Sequence, residues 1–123
     1  MSDDIIFKIR FIANTSQKRE KGLMYAKSLD DNEIVLFVFP TVGNYGFWNK
    51  NVSFPLSLAF LDENGKILEF GDMKAESEKE IQPKSNEIKY VIEAPKGAFE
   101  KNEINKGDLV VYNSDNSLLI KKI

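Results

Sequence analysis

The chain of 123 residues contains no cysteine and no histidine. Without cysteine there are no disulfides, thiolate nucleophiles, zinc–thiolate centres or iron–sulfur clusters. Without histidine the commonest metal ligand and the usual general base near neutral pH are missing, and a Ser-His-Asp triad cannot be assembled. Any catalysis would fall to carboxylates, lysine or tyrosine, so composition favours a non-catalytic protein; no cofactor or metal site is expected. Excess charge of one sign is also lacking: 17 basic residues face 19 acidic ones, for a net charge of -2. The lysines are interleaved with acids, as in Lys18-Arg19-Glu20-Lys21, which describes a solvated face and not a phosphate-binding stripe. Nucleic acid is therefore not an expected partner. No apolar run approaches the roughly 20 residues that span a bilayer, so membrane insertion is not expected. The opening Met1-Ser2-Asp3-Asp4-Ile5 has neither the basic flank nor the apolar stretch of a secretory signal. The chain as given reads as cytoplasmic, although an export segment cleaved beforehand would leave no trace.

What is present is a set of short strand-like segments. A chain of this length suits a single domain, 1–123. Residues Ile5 to Ala13 alternate, with Phe7, Ile9 and Phe11 on one side and Lys8 and Arg10 on the other, as in a half-buried strand. Asn14 or Thr15 can cap a helix through Lys18-Arg19-Glu20-Lys21, with Gly22 inside it or at its end. Ile34 to Phe39 reads as a buried strand stopped by Pro40. Leu56 to Leu61, the Asp62-Glu63-Asn64-Gly65 tract and Lys66 to Phe70 read as a hairpin, because Asn-Gly tolerates the positive φ a tight turn demands. The acidic tract lacks the spacing of a calcium loop. Lys74 to Asn86 is a polar connection, Ile88 to Ala94 another strand, and Lys96 to Glu103 a short helical turn. Leu109 to Tyr112 and Leu118 to Ile123 close the chain. The expected fold is α+β and mainly β: one compact antiparallel barrel or sandwich with an N-terminal helix and one short helical turn.

Several motifs, in this order, resemble the uncharacterised bacterial and archaeal family catalogued as domain of unknown function 192. They are Arg19-Glu20-Lys21-Gly22-Leu23-Met24, Leu36-Phe37-Val38-Phe39, Phe47-Trp48-Asn49-Lys50-Asn51 with Phe54-Pro55-Leu56, Tyr90-Val91-Ile92-Glu93 with Gly97, and Ile104-Asn105-Lys106-Gly107-Asp108. The departures are specific. The family's Asp after Pro-Leu is Ser57 here, its Met in the tryptophan motif is Asn49, its Gly-Met before the Leu-Phe strand is Ile34-Val35, and its second arginine falls on Ala26. The resemblance implies a fold class. It carries no activity, and if the family's Asp held chemistry or a metal, this chain has lost it.

Five residues are candidates for a binding site: Arg19, Trp48, Lys50, Asn51 and Glu93. Trp48 is read first as a core anchor at a strand end, and second as a ring for stacking a planar or sugar ligand. Lys50 is either a lysine whose stem lies on apolar surface or a nucleophile with a lowered pKa. Asn51 can fix a turn. Glu93 stands in an otherwise apolar strand and invites a cationic partner, for which Arg19 and Lys50 are the candidates. Convergence of the three would make either a structural ion pair or a polar pocket for an anionic or hydroxylated small molecule. The leading expectation is a small non-catalytic binding or accessory domain, for a small molecule or a partner protein. The alternative is a hydrolase or lyase using Glu93 or Lys50.

Overall fold

The computed structural model describes residues 4–123; the Met1–Asp3 part of the opening segment lies outside them. Seven strands and two short helices follow in the order β1 (Ile5–Ala13), α1 (Ser16–Lys21), β2 (Glu33–Gly43), β3 (Leu56–Leu61), β4 (Ile67–Met73), β5 (Ile88–Pro95), α2 (Ala98–Lys101), β6 (Leu109–Asn113) and β7 (Ser117–Lys121). All seven strands join one sheet in the order β4-β3-β5-β2-β1-β7-β6. The mainly β architecture with two small helical pieces is as the sequence implies. One pair departs from the antiparallel scheme: β1 and β2 run parallel. The segment 14–32 between them, which holds α1, supplies the long crossover that parallel neighbours require.

The sheet curls into a half-barrel until its two outermost strands touch. Lys66 bridges Leu109, Val110 N–H donates to the Gly65 carbonyl at 2.8 Å, and Ile67 N–H donates to the Asp108 carbonyl at 3.0 Å. Gly65 makes this approach possible. It has φ +83°, and a Cβ there would stand 2.5 Å from the Val110 carbonyl oxygen. The Asp62–Gly65 tract is the turn of the β3–β4 hairpin, in which Asp62 Oδ1 accepts from the backbone N–H groups of Asn64 and Lys66.

Each sheet face has its own core. Phe7, Ile9, Leu36, Leu61, Ile92 and Leu118 pack inside the curl, where Ala98 and Phe99 of α2 join them. Val35, Phe37, Leu58, Phe60 and Val91 pack on the outer face beneath Leu23, Phe47 and Val52 from the connections. β3 is buried on both faces throughout, which explains why it is apolar at every position but Ser57. The strict alternation expected of β1 fails at Arg10. Ile9 pairs Ile34 and Phe11 pairs Val35, so one extra residue is accommodated as a bulge. Phe7 and Ile9 therefore join the inner core, whereas Phe11 packs on the outer one. Pro40 does not stop β2, which runs on to Gly43. The proline is exposed, in the interval between Val38 and Gly43 where the pairing with β5 is irregular, so its missing N–H breaks no regular ladder.

Candidate functional site

The outer face carries a cavity of about 250 Å³ between α1, the loop after β2 and the sheet. Thr15 begins α1, its Oγ1 accepting from Lys18 N–H at 3.2 Å, and Gly22 ends it with φ 47°. A Cβ at Gly22 would make only ordinary contact with the Phe37 ring at 3.4 Å, so it is the positive φ that suits glycine. This short helix holds Arg19 at the cavity wall. Arg19 Nη1 donates to the Val38 carbonyl at 2.8 Å, and its guanidinium lies 5.3 Å from the centre of the Phe39 ring.

The loop after β2 supplies the opposite wall. Phe47, only 9% exposed, packs edge-on against Phe37 with ring centres 5.0 Å apart. It also exchanges two backbone hydrogen bonds with Ile81, which ties the polar 74–86 connection to the loop. Trp48, by contrast, is 44% exposed. The anchoring role expected of Trp48 belongs to its neighbour: in this extended stretch adjacent side chains point opposite ways, and Phe47 takes the inward position. Trp48 lines the cavity mouth, and Lys50 Nζ lies 5.3 Å from the centre of its ring.

Asn49 was not among the sequence candidates, yet it organises the loop. It is fully buried, its Nδ2 donates to the carbonyls of Phe54 and Lys74 at 2.9 and 3.0 Å, and its backbone N–H donates to Ser77. A polar residue between apolar neighbours in the Phe-Trp-Asn-Lys-Asn run was the available signal. Asn51 does not face the same cavity. It adopts φ 61°, donates to the Tyr25 hydroxyl at 3.0 Å, and borders an adjacent recess with Tyr25 and Glu76. Its role in fixing a turn is as anticipated.

Glu93 forms the floor. It lies in β5 between Val35 of β2 and Leu58 of β3, and is 4% exposed. Its Oε1 has no hydrogen-bond partner among the described residues. Burial in this apolar bed raises its pKa from 4.5 to about 8, so the carboxyl holds its proton at neutral pH. Arg19, Lys50 and Glu93 thus border one cavity. They do not form the structural ion pair expected of them. The ion pairs among the described residues are Arg10–Glu33 and Lys122–Asp108. The gap has a local cause, since Arg19 is drawn aside by the Val38 carbonyl and the Phe39 ring.

Ser57, at the position of the family-like Asp, lies on the other sheet face. Its Oγ donates to Asp72 Oδ1 at 2.7 Å and accepts from Gly97 N–H at 3.0 Å. Asp72 is its direct partner across the β3–β4 pair, so a carboxylate still occupies this neighbourhood from the adjacent strand. Among the described residues no cluster of three or more Asp and Glu side chains could hold a metal ion. No helix there is long and apolar enough to cross a membrane.

A known family model, described as domain of unknown function 192, an uncharacterized ACR, matches residues 3–112. The chain belongs to this family. Two solved structures, among others, share the fold. One is a "putative transcription regulator" from Sinorhizobium meliloti 1021, 23% identical, with TM-score 0.79 over 88% of this chain and 90% of that one. The other is a protein of unknown function from Novosphingobium aromaticivorans, 22% identical, with TM-score 0.80 over 89% and 83%. At these identities the likeness concerns the fold. No curated protein matches the chain in sequence.

Proposed function

We propose that this member of the domain of unknown function 192 family is a small-molecule binding module whose ligand enters the cavity bordered by Arg19, Trp48, Lys50 and Glu93. One observation carries the reading. A carboxyl group is buried on the cavity floor with an oxygen that no group among the described residues satisfies. Leaving a buried polar atom unpaired costs about 1–3 kcal/mol, a cost that a ligand's hydrogen bond would offset. Concavity, aromatic walls and a few convergent polar groups are the general marks of a ligand site. The description of the Sinorhizobium protein does not alter this. In the present chain a net charge of -2 with interleaved lysines gives no electrostatic footprint for nucleic acid.

The test is a thermal-shift screen against sugars, nucleotides, organic acids and divalent cations, repeated on Glu93→Leu. A specific ligand stabilises the native state by mass action, by about 2.7 kcal/mol at a hundredfold excess over Kd. One class should raise the melting temperature of the wild type and leave Glu93→Leu unmoved. A screen with no shift from any class would refute the binding reading.

A second reading rests on the same carboxyl. A group titrating near neutral pH is suited to general acid catalysis, as a hydrolase or lyase would need. In that case Glu93→Gln would bind substrate and fail to turn it over.

A further inference from the structure

The groups around the cavity narrow the chemistry of its ligand. Resting on the binding reading above, we propose that the ligand is a small monocarboxylate with a flat apolar body, its anionic end held by Lys50 and Arg19 beside the Glu93 carboxyl.

The sign of the charge comes first. The charged residues bordering the cavity are Arg19, Glu20 and Lys21 from α1, Lys50 from the loop and Glu93 from β5. The strands flanking Glu93 face it with Val35 and Leu58, which do not titrate. None of the three cations makes an ion pair among the described residues. Arg19 uses Nη1 on the Val38 carbonyl, and a guanidinium has five N–H donors, so further donors remain. With Glu93 protonated, three positive charges face one negative charge, Glu20, in a chain whose overall charge is negative. An anion is favoured there and an amine is not.

The shape follows from the walls. Phe37, Phe39 and Phe47 make the apolar lining, and the half-exposed Trp48 ring stands at the mouth. Phe39 is already stacked on Tyr45 and covered by Arg19, so the Phe37, Phe47 and Trp48 rings are the ones that suit a ring or a short flat chain. At about 250 Å³ the cavity lies below the span of drug-sized pockets, which fits a ligand of roughly ten non-hydrogen atoms. A bare phosphate would leave this apolar lining uncovered and would set two charges against a carboxyl. A monocarboxylate sets one charge there, which a protonated Glu93 can meet by donating a hydrogen bond. Once Glu93 ionises, the same two groups repel. Ligand affinity is therefore tied to the proton on Glu93 and weakens as that proton leaves.

Trp48, the only tryptophan, provides the readout. Benzoate titrated into the whole chain should change Trp48 fluorescence saturably, and the same Kd should follow from calorimetry. Raising the pH from about 6 to about 9 should weaken binding by about tenfold, the fall expected if only the protonated form of a group titrating near 8 binds. Lys50→Gln should weaken benzoate by about tenfold and leave benzamide unchanged. Glu93→Gln, whose amide keeps a donor without a charge, should retain benzoate binding and lose its pH dependence. Benzylamine or benzamide binding more tightly than benzoate would overturn the ligand class and leave the binding reading intact. So would benzoate affinity that does not change with pH in the wild type, a result that needs no variant to fold. If none of the three probes binds and the broad screen is also silent, both proposals fail together.

Discussion

Two of the buried carboxyl groups among the described residues, Asp108 and Glu93, have opposite surroundings. Asp108, at the entry to β6 and 2% exposed, has its oxygens fully engaged: Oδ2 accepts from Asn105 N–H at 2.8 Å and pairs with Lys122, and Oδ1 accepts from Ile123 N–H at 3.3 Å. Burial alone would raise its pKa, but the Asn105, Lys122 and Ile123 contacts together hold it below the usual 3.8. Glu93 is as little exposed but lies much deeper and has none of that support, and its pKa rises to about 8. Depth without donors keeps Glu93 protonated, whereas the donors aimed at the shallower Asp108 outweigh its desolvation and keep it charged. A satisfied buried acid belongs to the architecture. An unsatisfied one facing a cavity is a reason to look for a ligand.

Removing each acid in turn separates the two roles. Asp108→Ala should cost the most, about 2–3 kcal/mol, because it strands the N–H groups of Asn105 and Ile123 and the Lys122 ammonium near the chain end. Urea unfolding measures it, and a variant as stable as the wild type would show that the Asp108 contacts contribute nothing. Glu93→Leu should act in the opposite direction and stabilise by about 1–2 kcal/mol, since it replaces an unpaired buried polar group with an apolar one among Val35 and Leu58. Destabilisation there would mean that Glu93 has a structural partner after all. Gain of stability with loss of ligand binding is the trade expected of a functional site.

The third difference is in the dependence on pH. Between its unfolded value of 4.5 and its folded value of about 8, native Glu93 keeps a proton that the unfolded chain has released. The native state then binds more protons, so stability falls as pH rises through this window and is level above it. Asp108 has the reverse sign. Its contribution is present above 3.8 and is lost as pH falls through its lower folded value. Unfolding free energies of the wild type minus those of Glu93→Gln, followed from about pH 4 to pH 9, should decline across the window. A flat difference would mean that Glu93 ionises in the folded protein as readily as in the unfolded one.

Glu93 was legible in the sequence because a charged residue in a strand of apolar neighbours is conspicuous, and the alternation of Ile88 to Ala94 set it on the same face as Val91. Most strands were legible for the same reason of period. The failures share a cause, which is that partners remote in sequence decide them. The bulge at Arg10 depends on register against β2, and the parallel pairing of β1 and β2 depends on where the crossover leads. The exchange of roles between Phe47 and Trp48 depends on which side of the loop meets the Phe37 ring. Asn51 stands next to Lys50 in the chain, yet its backbone turn sends it to a different recess. Asn49 escaped notice because its partners, Phe54, Lys74 and Ser77, are brought together only by the folded connections.

The contact between the two outermost strands has a consequence beyond shape. The unpaired backbone groups of a terminal strand are a template on which another chain can add, the first step of aggregation. Where Gly65 admits the Val110 carbonyl and Lys66 meets Leu109, those groups are occupied from within the same molecule. The missing side chain of one turn residue thus helps to keep this protein from pairing with its own copies.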